Sequence, residues 1–348
     1  MMRQSARTAF ARVACAAWLG LSPIAPARAD SAKAPGRWIG RVDETGQRFG
    51  WPGSGLAFRF EGRRLTLRLA NEGGNSLVAT IDGHRKRIDL APGEKTYTLF
   101  DGPAGPHVVE LRKRTEGDVG LVRFLGAETD GRFLKAPTPE RRILVIGDSI
   151  SAGYGIEGAG PNCSFSPDTQ NQTLTYAAQV AERFGAETVA LAASGRGLVR
   201  NYSGAREGTM PDLIDRALPN DPSPVGAARG PFDLVLVHLG TNDFSGSEEP
   251  YGFETAYVAL LEKLRARYPS APIYALIGPM LGPDRLDLAK TGIENALTRR
   301  QKAGDQAVRF LAFPAPPSSY GCDWHPSVAA NRQMADLLTA RLKSDLGW

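Results

Sequence analysis

Apolar and polar residues alternate over short segments between residue 38 and about residue 131, and turn residues bound each segment. A period of two is the pattern of a strand with one buried face. Such strands at regular spacing predict an antiparallel β-sandwich, and we expect the jelly-roll type. The predicted strands are Leu56–Phe60, Leu65–Leu69, Leu77–Ile81, Tyr97–Phe100, Val108–Arg112 and Leu121–Leu125.

The pattern changes after residues 136–141, a proline-rich stretch without periodicity that predicts a linker. Beyond it, continuous apolar runs alternate with segments in which apolar residues recur every three or four positions, the helical period. This alternation predicts a parallel sheet with helices on both faces, a three-layer α/β/α domain. We expect strands at residues 143–146, 188–192, 234–239, 273–277 and 310–313, and helices at residues 173–184, 253–268 and 328–342.

The first 29 residues have the pattern of a secretory signal peptide. Arginines precede the apolar run Val13–Leu21, which is too short to span a bilayer, and Ala27–Ala29 form a small-residue cleavage site. We therefore expect cleavage after Ala29 and a mature protein in the periplasm or outside the cell. The expected organisation is a signal peptide at 1–29, a jelly-roll domain at 30–135, a linker at 136–141 and an α/β domain at 142–348.

The composition is that of an ordinary globular protein, with 42% hydrophobic and 23% charged residues in a chain of 348. The net charge of +5 comes largely from the leader, because removing residues 1–29 takes away four arginines and no acid and leaves +1. A nearly neutral mature chain argues against nucleic-acid binding, and we expect no integral membrane protein. The four histidines lack metal-binding spacing, so we expect neither a metal nor an organic cofactor.

The stretch Gly147–Gly155 comes directly after the apolar run Ile143–Ile146. The chain therefore turns at the carboxyl edge of the predicted sheet, where open α/β sheets bind their ligands. A glycine beside Ser149 allows a tight turn that can point the serine hydroxyl into a cleft. Taken alone, the stretch is more typical of a helix start with Asp148 or Ser149 as the N-cap, and the other segments are needed to favour a chemical role.

Four separate segments share this position, because each follows a predicted strand or precedes the last helix. Together they supply a serine, a glycine amide, an asparagine amide and an Asp-x-His pair. These are the groups that acyl transfer requires. The segments are Gly147–Ser149, Ala193–Gly197, Gly240–Asp243 and Cys322–Pro326.

In this order, the segments Gly147–Gly155, Leu239–Asp243 and Gly321–Pro326 resemble those of the SGNH (GDSL-type) hydrolases. With the sandwich before them, the chain resembles carbohydrate esterase family 2 over nearly its whole length after the leader. The resemblance implies a flavodoxin-like α/β/α domain preceded by a jelly roll. It also implies site roles: nucleophile Ser149, base His325, orienting acid Asp323, and oxyanion donors Gly195 and Asn242.

The spacing of acid and base favours carbohydrate esterase family 2 among the SGNH hydrolases. SGNH hydrolases usually have Asp-x-x-His, whereas family 2 has the Asp-x-His spacing found here at Asp323 and His325. Some members of that family lack the acid and use a Ser-His dyad. An ordinary α/β-hydrolase is excluded, because Ser151 stands where the Gly-x-Ser-x-Gly elbow requires glycine.

The chemistry of these residue types agrees with the implied roles. A histidine such as His325 can take the serine proton near neutral pH and return it to a leaving sugar hydroxyl. Asp323, two residues away on a loop, would orient the ring imperfectly. The oxyanion needs preorganised donors, offered by the Ser149 amide, the Asn242 side chain and a glycine amide. For that glycine, Gly197 remains an alternative to Gly195.

Structural roles remain open for several of these residues. Asn242 alone is compatible with an Asx turn, and His325 before Pro326 with a cap of the last helix. Aromatic side chains could stack on sugar rings, yet most such residues pack in the interior, so we assign no binding role to them. They are Trp38, Trp51, Tyr154 and Trp324.

Two cysteines remain after the leader, Cys163 and Cys322. An even count in an exported protein favours a disulfide. If Ser149 and His325 meet at one sheet edge, the loops carrying these cysteines also approach each other. We expect a Cys163–Cys322 bond, with two separate thiols as the alternative.

The sequence therefore predicts a monomeric serine esterase that removes O-acetyl groups from a polysaccharide such as xylan or glucomannan through an acyl-enzyme on Ser149. A lipid or thioester hydrolase of the same fold is one alternative, and it should have an apolar acyl trough. A carbohydrate-binding protein with an inert hydrolase half is another. The presence of all four segments argues against the inert form.

Overall fold

A computed structural model of the protein describes residues 35–223 and 230–348. The predicted signal peptide lies outside the described residues. All described residues belong to one compact unit, Ala34–Trp348.

The first part of the unit is an antiparallel sheet of eight strands. Its strand order is β2-β7-β3-β6-β4-β5, and β1 and β8 also pair with β3. Alternate residues of these strands are buried in a core of their own, which includes Phe58, Leu67 and Leu111. The strands are β1 Arg37–Ile39, β2 Arg48–Phe49, β3 Gly55–Asn71, β4 Ser76–Ile81, β5 His84–Asp89, β6 Gly93–Lys113, β7 Val122–Thr129 and β8 Arg132–Leu134.

Two pairs of predicted strands are in fact single long strands. β3 contains both Leu56–Phe60 and Leu65–Leu69, and β6 contains both Tyr97–Phe100 and Val108–Arg112. The register shifts between Gly62 and Arg64 and again between Leu65 and Thr66, so the intervening residues form irregularities within the pairing. A glycine that suggests a turn in the sequence can also mark a bulge, which lets a strand change register without ending.

The second part of the unit is a parallel five-stranded sheet in the order β10-β9-β11-β12-β13. This is the flavodoxin-like order, and it reverses at β9. The strands are β9 Arg141–Gly147, β10 Ala186–Ala192, β11 Leu234–His238, β12 Ile273–Ile277 and β13 Val308–Ala312. The helices are α1 Ser149–Ala152, α2 Tyr176–Arg183, α3 Met210–Leu213, α4 Thr241–Phe244, α5 Phe253–Arg267, α6 Pro283–Lys302 and α7 Val328–Leu346.

Helices cover both faces of this sheet, as the predicted three-layer fold requires. Leu144 and Ile146 of β9 belong to the core formed with α5 and α6. Ile143 and Val145 of the same strand belong to the core formed with α2 and α7. Because successive side chains of a strand point to opposite faces, one strand supplies both cores.

Helix α6 was not predicted. Its buried residues are spaced as an amphipathic helix requires, but two of the five are alanine, and charged residues fill much of the remaining surface. The apolar signal is therefore weak, although Pro283 in the first turn is a common sign of a helix start. The buried residues are Leu286, Ala289, Ile293, Ala296 and Leu297.

In the part of the chain that the structure describes, no helix combines the length and apolar character needed to cross a bilayer.

Candidate active site

Ser149 lies at the carboxyl edge of the parallel sheet, two residues after the end of β9, and begins helix α1. Asp148 is the N-cap of this helix, and its carboxylate accepts a hydrogen bond from the Ile150 N–H at 3.0 Å. Neighbouring residues thus fill the two roles that the sequence left open for this stretch. Asp148 caps the helix, and the Ser149 hydroxyl faces the cleft.

His325 contacts the Ser149 hydroxyl directly, with Nε2 2.9 Å from Oγ. The other ring nitrogen, Nδ1, lies 2.9 Å from the backbone carbonyl oxygen of Asp323. Because a carbonyl can only accept, Nδ1 carries the proton and Nε2 is the acceptor that faces the serine. Burial lowers the His325 pKa to about 4, so the ring is neutral at neutral pH. His325 does not cap the last helix. The N-cap of α7 is Ser327, whose side chain accepts a hydrogen bond from the Ala330 N–H.

The Asp323 carboxylate accepts no hydrogen bond from the His325 ring, contrary to the expected arrangement of acid and base. It accepts hydrogen bonds from the Tyr154 hydroxyl at 2.9 Å and from the Phe165 N–H at 2.8 Å. The reason is the backbone, because Asp323 and Trp324 both have left-handed φ angles, +49° and +60°. In this rare conformation the Asp323 carbonyl faces the His325 imidazole and the Asp323 carboxylate faces Tyr154. The Tyr154 ring in turn packs 4.4 Å from the His325 ring.

Gly195 and Asn242 line the same cleft as Ser149 and His325. Gly197 does not line it, and its N–H donates to the Asn201 side chain at 3.1 Å. Within the described ranges, the Gly195 N–H has no hydrogen-bond acceptor. Of the two candidate glycines, the geometry therefore favours Gly195 as a donor to a reacting group.

The Asn242 amide contacts a neighbouring loop and forms no Asx turn. Its Nδ2 donates to the Arg196 carbonyl at 2.9 Å and lies 3.4 Å from the Asp148 carboxylate. Asn242 follows β11 and Arg196 follows β10, on the two sides of β9. The amide therefore bridges the loops on both sides of the nucleophile.

Asp243 is a site residue that the sequence did not single out. Its carboxylate accepts hydrogen bonds from the backbone N–H groups of Leu198, Val199 and Arg200, at 2.7–3.0 Å. It thereby fixes the loop that begins at Gly195. Burial raises the pKa of Asp148 to about 7, and the nearby Asp243 carboxylate acts in the same direction.

The predicted disulfide between Cys163 and Cys322 is present, with a Cα–Cα distance of 4.7 Å. Backbone hydrogen bonds join the same two loops. The Asp323 N–H donates to the Cys163 carbonyl, and the Cys322 N–H to the Gly155 carbonyl, both at 2.9 Å. The loop after the nucleophile is thus fixed to the loop that carries the histidine.

The aromatic residues divide into two groups. Trp51 is fully buried, and Trp38 packs against Phe49 and Phe124. Trp324 is 57% exposed and lines the cleft, so the expectation of interior packing is wrong for this residue. Tyr202, which the sequence did not single out, lines the cleft and is 74% exposed.

The cleft has a volume of about 750 Å³. Its reacting groups are polar, and one wall is apolar, formed by Phe244, Met280 and Leu281. Among residues 35–223 and 230–348, no three His, Cys, Asp or Glu side chains are grouped as a metal site would require. The expectation of a metal-independent reaction remains a prediction.

Two protein families match the chain. Residues 38–137 match a family described as carbohydrate esterase 2 N-terminal, and residues 145–333 match the GDSL-like lipase/acylhydrolase family. A cellulase/esterase, CelE, from Acetivibrio thermocellus is 37% identical over 313 residues. The match covers 88% of this chain but only 38% of that protein's length.

An acetylxylan esterase/glucomannan deacetylase from Cellvibrio japonicus is 30% identical over 322 residues, which is 88% of this chain and 87% of that protein. Among solved structures, a family two carbohydrate esterase from Clostridium thermocellum in complex with cellohexaose superposes with a TM-score of 0.85. It is 36% identical, and the superposition covers 90% of this chain and 99% of that one. A family two carbohydrate esterase from Cellvibrio japonicus has a TM-score of 0.81 at 27% identity, over 90% of this chain and 96% of that one.

Proposed function

The chain belongs to family 2 of the carbohydrate esterases, and from that premise we propose that it removes O-acetyl groups from a polysaccharide by serine catalysis. The observation that carries the proposal is the 2.9 Å contact between Ser149 Oγ and the unprotonated Nε2 of His325. Serine and base at this distance are the minimal requirement for nucleophilic acyl transfer.

The reaction begins when His325 takes the Ser149 proton while Oγ attacks the acetyl carbonyl carbon. The carbonyl becomes an oxyanion in the tetrahedral intermediate. Collapse breaks the bond to the sugar oxygen, which receives the proton from His325 Nε2, and leaves an acetyl group on Ser149. Water then attacks the acyl carbon as His325 takes a proton from it, and the bond between this carbon and Ser149 Oγ breaks as His325 returns the proton to Oγ, which releases acetate.

The Asp323 carbonyl holds the ring in the required tautomer, because it accepts from Nδ1–H. A carbonyl dipole stabilises an imidazolium less than a full carboxylate would. We therefore assign Asp323 an orienting role through its backbone, with its carboxylate acting indirectly by holding Tyr154. On this proposal Ser149 and His325 operate as a dyad.

The oxyanion is stabilised by donors already in place before the reaction. The Ser149 N–H lies at the start of α1, where the first N–H groups have no partner one turn earlier. The Gly195 N–H and the Asn242 amide complete the proposed set, and the amide offers the oxyanion the hydrogen that makes only the long 3.4 Å contact with Asp148. Donors fixed in a largely buried site stabilise the developing charge without reorganising, which is the main source of rate in acyl transfer.

For the substrate we propose an acetylated plant polysaccharide, such as xylan or glucomannan. The support comes from the relatives named above and from the open cleft, where exposed Trp324 and Tyr202 offer aromatic faces to a sugar ring. We also propose that the protein is exported and acts as a monomer. Support for export comes from the leader's composition and from the disulfide, which persists in oxidising compartments.

The test is acetate release from acetylated xylan and glucomannan, compared with release of long-chain acyl groups from lipid and thioester substrates. We expect release from the polysaccharides and little turnover of chains of eight carbons or more, because the groups around Ser149 are polar and one wall of the cleft is apolar. A preference for long acyl chains would refute the proposed polysaccharide substrate and favour the lipid or thioester hydrolase. Mass analysis of exported protein should give Asp30 as the first residue, and light scattering a single chain.

A further inference from the structure

The end of β6 leads into an unusual polar segment. Lys113, Arg114, Thr115 and Glu116 are consecutive and all buried. Buried polar groups need hydrogen-bond partners, so each of these side chains should be held in a defined place. Glu116 is the member whose contacts lead to the active site.

The Glu116 side chain, 4% exposed, makes three contacts through its carboxylate oxygens. It accepts from the Ser194 N–H at 2.6 Å, from the Ser194 hydroxyl at 2.5 Å and from Gln170 Nε2 at 3.0 Å. The Glu116 N–H also donates to Gln170 Oε1 at 3.2 Å. Both donors of Ser194 are thus bound to one carboxylate.

Ser194 immediately precedes Gly195, and the peptide that joins them carries the Gly195 N–H. Fixing the Ser194 backbone and side chain from one side restricts the rotation of this peptide. On the other side, the Gly195 carbonyl accepts from the Tyr202 N–H at 2.9 Å. The N–H that faces the cleft is therefore held from both directions.

Gln170 extends the same contacts to the nucleophile. Its Nε2, bonded to Glu116, also lies 3.4 Å from the carbonyl of Ala152, the last residue of the helix that Ser149 begins. One carboxylate therefore reaches the loop of the proposed oxyanion donor directly and the nucleophile helix through one side chain.

We propose that Glu116, three residues beyond the end of β6, is a positioning residue that sets the Gly195 N–H relative to Ser149. This inference rests on the proposed function, because it assigns Gly195 to the oxyanion. It extends that function by making the first part of the chain a component of the active site.

The chemistry favours a carboxylate at this position. A buried carboxyl group is costly unless hydrogen bonds compensate, and burial raises the Glu116 pKa while the Ser194 contacts oppose that rise. Two oxygens that only accept match the N–H and O–H of Ser194 together with the amide of Gln170. A glutamine side chain cannot match all three without turning a donor toward a donor.

Glu116→Gln is the principal test, with Glu187→Gln as its matched control. Glu187 is also a buried carboxylate, paired with Arg37 at 2.7 Å, but it lies near the start of β10, whereas Ser194 follows the end of that strand. The two substitutions make the same chemical change at opposite ends of one strand.

We would measure kcat and KM with 4-nitrophenyl acetate and express kcat per active site, with the sites counted by titration with a fluorophosphonate. We would also measure the Ki of a boronic acid that mimics the tetrahedral intermediate. For Glu116→Gln we expect kcat to fall about ten- to a hundred-fold with KM within about two-fold, and Ki to rise by the same factor as kcat falls. Glu187→Gln should change each constant by less than about two-fold.

A Glu116→Gln protein whose kcat and Ki match those of Glu187→Gln would overturn the inference. If Glu116→Gln does not fold, Ser194→Ala decides, since it removes only the hydroxyl contact. We expect a fall of about three- to ten-fold in its kcat, and an unchanged kcat would refute the assignment. Absence of acetyl ester turnover by the wild-type protein would instead refute the proposed function.

Discussion

The two edges of the parallel sheet use polar groups in opposite ways. At the amino edge, polar groups are paired with one another: Glu187 lies 2.7 Å from Arg37, and the Arg142 N–H donates to Asp233 at 2.8 Å. At the carboxyl edge, the Gly195 N–H has no acceptor among the described residues and faces a cleft. Paired groups serve stability, whereas a donor kept in place without a partner can bind a charge that forms during a reaction.

The largest expected effect on activity comes from removal of the nucleophile or the base at the carboxyl edge. Ser149→Ala and His325→Ala should each lower acetyl ester turnover by about a million-fold, because neither residue acts without the other. Thermal unfolding should change little. Near wild-type turnover by purified Ser149→Ala would refute the proposed mechanism.

The second test removes one proposed oxyanion donor. Asn242→Ala should lower kcat by about two to three orders of magnitude with KM little changed, because the amide acts on charge that exists only in the transition state. Steady-state kinetics on acetyl esters separates the two constants. If only KM rises, Asn242 binds the ground-state substrate instead.

The third test is the pH dependence of kcat/KM. His325 must be neutral to accept the serine proton, and burial lowers its pKa to about 4. Activity should therefore be level from about pH 7 to 5 and fall roughly ten-fold per unit below pH 4. An acid limb at or above the ordinary histidine pKa of 6.5 would contradict this assignment.

Circular dichroism over the same range is the necessary control. The pKa of His238, whose ring nitrogens bond to Tyr176 and the Gly278 carbonyl, is likewise lowered to about 4 by burial. A histidine with a lowered folded pKa stabilises the fold fully above its unfolded pKa, and this contribution is lost as the pH falls toward 4. A loss of activity can be assigned to protonation of His325 only at pH values where circular dichroism shows that the protein is still folded.

The smallest expected effect belongs to Asp323→Asn. The substitution keeps the backbone carbonyl on the His325 ring and alters only the contacts to Tyr154 and Phe165. We expect kcat to fall by less than about ten-fold, far below the roughly ten-thousand-fold loss typical of a triad acid. Tyr154→Phe, which removes the same contact from the other side, should have a similar effect. A triad-sized loss would show that the carboxylate acts on the ring directly.

The meeting of Ser149, Gly195 and Asn242 in one cleft was predictable because each lies in a short contiguous segment at the end of a strand. Ser149, Gly195 and Asn242 follow β9, β10 and β11, and topology brings such positions together whatever the details of packing. The disulfide was predictable for the same reason. It joins two loops that the meeting of Ser149 and His325 forces together.

Other features depend on contacts that no local pattern encodes. The carboxylate of Glu116 reaches Ser194 across 78 positions of sequence, and it comes from the half of the chain without a recognisable motif. The left-handed backbone at Asp323 decides whether its carbonyl or its carboxylate meets the imidazole, and two residues of spacing do not determine this. Helix α6 was missed because two of its five buried residues are alanine, and small residues contribute little to an apolar periodicity.

The disulfide also changes the length of chain that separates the two reacting groups. Along the backbone Ser149 and His325 are 176 residues apart. Cys163 and Cys322 close a covalent ring, and both reacting groups lie just outside it, fourteen residues before its first cysteine and three after its second. The connecting path is therefore about seventeen residues, and a shortening of this size lowers the entropic cost of bringing its ends together by about 2 kcal/mol. A break in the backbone anywhere between the two cysteines would leave nucleophile and base joined by the same short path.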